Sequence, residues 1–78
     1  MTVTLIGKPG CHLCDEARTV VVSVCAELGV QWVERSILDD AALAEAHWQR
    51  IPVVEVDGRE IAFWHVTAEQ LRTAIKGF

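Results

Sequence analysis

The spacing of apolar positions changes repeatedly along the chain, and each change marks an element. Thr2 to Gly7 carries Val3, Leu5 and Ile6 and predicts a strand, which Pro9-Gly10 ends. From there the period lengthens. Cys14, Ala17, Val21, Val24, Cys25 and Leu28 recur at the spacing of one helical face, predicting a helix from about Cys11 to Leu28. Val20-Val21-Val22 is β-branched and has strand propensity, but the helical period outweighs it. Asp15 and Glu16 suit the start of this helix, and Gly29 suits the position just past its end. Gln31 to Ser36 reads as a second strand, and Asp39-Asp40 opens a second helix, Ala41 to about Gln49. After Ile51-Pro52, Val53 to Val56 and Arg59 to Phe63 are two strands joined by Asp57-Gly58, a two-residue hairpin turn. Thr67 and Gln70 form a capping box for a last helix through about Lys76.

The predicted order is β-α-β-α-β-β-α, an α/β fold with a mixed four-stranded sheet and helices on both faces. The first half is a βαβ unit whose crossover should be right-handed. The 78 residues, with no repeat, linker or low-complexity tract, read as one domain over 1–78. A chain of this size buries only ~60% of its unfolded surface. Here 51% of residues are hydrophobic, enough for a core without crosslinks.

Charge and targeting signals narrow the class. The net charge is −4 and the seven Lys and Arg residues are scattered, so no basic face offers itself to nucleic acid. No run approaches the roughly 18 apolar residues of a membrane span. The first residues lack the basic and apolar regions of a signal peptide. The expected setting is the reducing cytoplasm, and the expected state is a monomer.

In that setting the pair Cys11 and Cys14, in Lys-Pro-Gly-Cys-His-Leu-Cys, has three readings: a disulfide staple, part of a metal site, or a redox centre. A permanent staple is disfavoured in reducing cytoplasm. Structural zinc takes four ligands, and only Cys25, His12, His47 and His65 remain, without paired spacing. The redox reading has a physical basis. Cys11 falls at the start of a helix, where unpaired N–H groups and the helix dipole favour a thiolate. In such Cys-x-x-Cys motifs the thiol pKa falls to between ~3.5 and ~7.5. Cys14, one turn on, can resolve a mixed disulfide formed at Cys11. Lys8 would add positive charge nearby, and His12 either supports the thiolate when protonated or faces solvent. Asp15 and Glu16 oppose it. Cys25 lies about 16 Å along the helix from Cys14, out of disulfide reach, and reads as core. Trp32 and Trp48 read as packing residues, and His47 as a surface residue.

A strand, then Lys-Pro-Gly-Cys-x-x-Cys opening a helix, then Ile-Pro-Val before a hairpin, resembles the glutaredoxins, the smallest members of the thioredoxin fold. The resemblance spans nearly the whole chain. It implies thiol–disulfide exchange at Cys11 and Cys14 and a cis Ile51-Pro52 bond, with the Ile51 backbone pairing to substrate. It implies a redox-active disulfide, with a potential of ~ −200 to −270 mV, and no other cofactor. Glutaredoxins hold glutathione with a lysine before the active site, the backbone before the cis proline, and a Gly-Gly step followed by an acidic residue. Lys8 and Ile51-Pro52 match the first two. At the third, Phe63-Trp64-His65-Val66-Thr67 replaces the glycines. Glutathione is therefore a doubtful ligand. The expected partners are a disulfide-bearing protein that Trp64 helps recognise, and a thiol or reductase as electron donor. Two alternatives stand beside this: a non-enzymatic module binding metal or a partner, and a redoxin supplying ribonucleotide reductase. The Trp-Ser-Gly-Phe motif of those redoxins is absent.

Overall fold

A computed structural model describes residues 1–77 of the chain. Seven elements follow in the predicted order. They are β1 (Thr2–Gly7), α1 (His12–Leu28), β2 (Gln31–Ser36), α2 (Ala41–His47), β3 (Val53–Val56), β4 (Arg59–Phe63) and α3 (Ala68–Lys76). The sheet runs β2-β1-β3-β4. β1 pairs parallel with β2 and antiparallel with β3, and β3 pairs antiparallel with β4 through a bulge at Val54/Glu55.

The helical face predicted from the sequence is the buried one. Cys14, Ala17, Val21, Val24 and Cys25 of α1 are all buried. The last four of these join Val3, Leu5, Val54 and Val56 of the sheet and Leu71 and Ile75 of α3 in one apolar core. Arg72 of α3 donates to Glu27 of α1 at 2.8 and 2.9 Å, linking the two helices at the surface. Ile6 and Val53, which alternate with core-facing Leu5 and Val54, are buried outside that core together with Pro52. None of α2's own residues is fully buried.

Local chemistry sets the boundaries. Asp57 and Gly58 both take positive φ, 50° and 80°, as the predicted hairpin turn requires. Asp57 also accepts from the Thr2 amide at 2.8 Å, fastening the turn to the start of β1. Thr67 caps α3 with both bonds of the capping box, at 2.9 and 3.0 Å.

Three expectations need correction. α2 ends at His47 rather than Gln49, because the chain turns there: the Arg50 amide donates to the His47 carbonyl at 2.8 Å. The same turn swings Trp48 outward, so it is exposed instead of packed. His47 is the half-buried residue of the pair, with its Nδ1 buried and without a hydrogen-bond partner. Trp32 does pack against the core.

Candidate redox site

Three connections converge at one end of the sheet. Ile6 pairs with Val53, and Val53 pairs with Phe63. The turn after β1, the segment before β3 and the turn after β4 therefore lie side by side. They carry Lys8 to Cys11, Gln49 to Pro52, and Trp64.

Cys11 is the N-cap of α1 and Cys14 lies in its first turn. The Cys14 amide donates to Cys11 Sγ at 3.2 Å, so a free N–H of the helix start points at the sulfur. Gly10, at φ 74°, bends the chain into this cap. Cys11 and Cys14 are joined as a disulfide, with Cα atoms 5.1 Å apart. Their surroundings differ. Cys11 is half-buried, whereas Cys14 is 1% exposed. A sulfur arriving from solvent meets Cys11 first. Cys25 is a free, buried thiol, and burial pushes its pKa up. Among the described residues, no three His, Cys, Asp or Glu side chains gather as a metal ion would need.

The profile of the Glutaredoxin-like domain matches residues 2–76. The chain belongs to the glutaredoxin-like family. A protein of Mycobacterium tuberculosis (strain ATCC 25618 / H37Rv), Rv0508, is 32% identical over 79 residues, covering 94% of this chain and 80% of its own. The X-ray structure of protein XcR50 from X. campestris superposes with a TM-score of 0.81 at 34% identity, over 97% of both chains. Reduced Escherichia coli glutaredoxin shares the fold, with a TM-score of 0.68 at 18% identity over 99% of this chain and 95% of its own. A redox role fits this glutaredoxin-like chain, with Cys11 and Cys14 paired at the helix start.

One of the two acidic residues of that helix start, Asp15, is paired with a cation. Arg18 donates to Asp15 at 2.8 Å and to Glu34 of β2 at 2.8 and 2.6 Å. Hydrogen bonding to Arg18 holds the Glu34 carboxyl below its ordinary 4.5, and those two carboxylates raise the Arg18 pKa further. Glu16 stands 3.7 Å from His12, whose side chain is 87% exposed. The charged neighbour of His12 is thus Glu16. The opposition to a thiolate expected from Asp15 is weakened by Arg18, a contribution not visible without the fold.

On the other side, the Ile51-Pro52 bond is cis. Trp64 takes φ 65°, and the His65 amide donates to the Phe63 carbonyl at 2.8 Å across it. An i→i+2 bond around a positive-φ residue is the rarer, strained hand of γ-turn. Both N–H groups of Trp64 are used within the protein. Its amide donates to the Pro52 carbonyl at 2.8 Å, and its Nε1 to the Gln49 carbonyl at 3.1 Å. The ring stays 51% exposed and meets Phe63 edge-on, with centroids 5.1 Å apart. The Arg50 guanidinium, paired with Glu60, lies 4.5 Å over the Phe63 ring. The sequence marks Phe63 only as part of the bulky stretch that replaces the glycines, and it does not mark Arg50. Their signal is the alternation of β4, which puts Phe63 on the strand's last exposed position.

Lys8 is exposed and borders a cavity of about 320 Å³ with Arg18, Glu34, Arg35 and Asp39. That cavity lies on the β2 side of β1, and Trp64 follows β4 on the far side. The site thus brings Cys11, Cys14, Ile51, Pro52 and Trp64 to one end of the sheet. Lys8 and His12 flank it.

Proposed function

We propose that this glutaredoxin-like chain is a dithiol–disulfide oxidoreductase in which Cys11 attacks, Cys14 resolves, and the substrate is the disulfide of another protein. The observation that carries the assignment of roles is the Cys14 amide aimed at Cys11 Sγ while the Cys14 sulfur is buried. The thiolate of Cys11 attacks one substrate sulfur. A mixed disulfide forms, the substrate disulfide breaks, and the leaving thiolate takes a proton from solvent. Cys14 then loses its proton and attacks Cys11 Sγ. The Cys11–Cys14 bond forms and the second substrate sulfur leaves as a thiol. Two electrons have passed to the substrate, and an external thiol or a reductase returns them.

The preference for a protein substrate rests on Trp64. Where a glutathione site would have small residues, this chain has an indole fastened to the Gln49 carbonyl. With its N–H groups occupied, Trp64 offers a partner a rigid ring face, the kind of anchor that dominates protein interfaces. It stands beside the Ile51-Pro52 backbone, to which an extended segment of substrate would add as a strand. The reaction belongs in a reducing cytoplasm, where the dithiol is maintained. Cys11→Ser is expected to abolish reduction of a protein disulfide such as that of insulin. Cys14→Ser is expected to accumulate a mixed disulfide at Cys11. Full activity in Cys11→Ser would refute the reading.

A further inference from the structure

Gly7 is the last residue of β1, and nothing in its turn chemistry calls for glycine. Its φ lies outside the left-handed region that Gly10, the turn glycine of this end, uses. What distinguishes it is proximity. A Cβ on Gly7 would lie 2.7 Å from Cys14 Sγ and 3.2 Å from Cys14 Cβ. Ordinary carbon contacts begin near ~3.5 Å. The strand end presses directly against the buried sulfur.

Neither partner is free to give way while the disulfide stands. Gly7 pairs with Ser36 in the parallel ladder, and its carbonyl accepts from the Ile37 amide at 2.9 Å. Its neighbour Ile6 pairs with Val53 on the other side. Cys14 sits on a helix whose face is packed into the core, and its Sγ is bonded to Cys11. Breaking the disulfide changes only the second constraint. A reduced Cys14 can turn about χ1 to the other rotamer allowed in a helix. A side chain at position 7 therefore costs more in the disulfide form than in the dithiol form.

We infer that Gly7 is a positioning residue that sets the redox equilibrium of the Cys11–Cys14 pair, by leaving the space that the Cys14 sulfur occupies when oxidised. This rests on the dithiol reading given above. The couple is balanced with glutathione. The Cys11–Cys14 bond breaks, two glutathione thiols join as a disulfide, and two electrons and two protons pass to the protein.

The test is a glutathione redox titration of wild type and Gly7→Ala, read by alkylation and mass spectrometry, with urea unfolding of each redox form. Gly7→Ala is expected to shift the equilibrium at least tenfold toward the dithiol, about 30 mV for a two-electron couple. The extra loss of stability should be confined to the oxidised form. An unchanged equilibrium, or equal destabilisation of both forms, overturns the inference and leaves the proposed function standing. A wild type that forms the disulfide yet reduces no protein disulfide removes the function and leaves Gly7 to be scored on the titration alone. A wild type that forms no disulfide overturns both. If Gly7→Ala does not fold, Gly7→Ala with Cys14→Ala decides. Recovery of folding when the sulfur is removed supports the contact, and failure to recover refutes it.

Discussion

On one side of the Cys11–Cys14 disulfide, the turn out of β1 takes its left-handed residue from a glycine, Gly10 at φ 74°. On the other, the turn out of β4 takes it from a tryptophan, Trp64 at φ 65°. The first turn uses standard local chemistry. Glycine bends the chain, Cys11 caps the helix and the helix start faces the sulfur. The second departs from local preference, and a non-glycine residue held there costs of order 1–3 kcal/mol. It persists because two hydrogen bonds tie Trp64 to residues 49–52. The reactive sulfur is thus presented by a generic device. The strained element is the second turn, and the proposed choice of a protein substrate rests on it.

A glycine at position 64 would give the second turn the chemistry of the first. Trp64→Gly removes the ring and the backbone strain together. Glutathione-dependent turnover is expected to rise at least tenfold and reduction of protein disulfides to fall by a similar factor. Stability should change little, since relief of strain offsets the lost indole hydrogen bond of about 1 kcal/mol. Wild-type turnover with glutathione already at the level of Escherichia coli glutaredoxin would end this account of Trp64.

The charge around the first turn depends on Arg18. Arg18→Met leaves Asp15 and Glu34 uncompensated, so the Cys11 thiol pKa should rise and alkylation at mildly acidic pH should slow severalfold. The stability effect is smaller, under about 1 kcal/mol for an exposed ion pair. Its pH dependence has a definite sign. Arg18 lowers the Glu34 pKa from 4.5, so the pair stabilises fully above that value and fades as pH falls through the lowered one. Urea midpoints of wild type and variant should differ at pH 7 and converge at the acid end. A gap that persists there would assign Arg18 a packing role instead.

Most of the fold is legible in the residues themselves because each element carries its own period and its own stop. Asp57-Gly58 and Thr67-x-x-Gln70 announce a turn and a cap that form as read. The stripe from Cys14 to Cys25 foretells which side of α1 is buried. What escaped is tertiary. The end of α2 depends on how the chain turns into Pro52, which exchanged the expected roles of His47 and Trp48. No propensity places a tryptophan in a γ-turn, so Trp64's grip on Gln49 needed the three-dimensional arrangement. Gly7 reads from sequence as an indifferent strand residue until Cys14 is seen against it. Arg18 reads as a solvated charge until β2 brings Glu34 alongside.

Cys11 and Cys14 are proposed to form a working redox couple with Cys11 as the outward thiol. Equilibrating the protein across glutathione buffers, then alkylating and mapping the peptides by mass spectrometry, tests it most directly. The expected result is one Cys11–Cys14 disulfide that opens and closes between about −200 and −270 mV, with Cys25 free throughout and Cys11 alkylated first at mildly acidic pH. All three thiols free across the whole range, or Cys14 labelled ahead of Cys11, would contradict it.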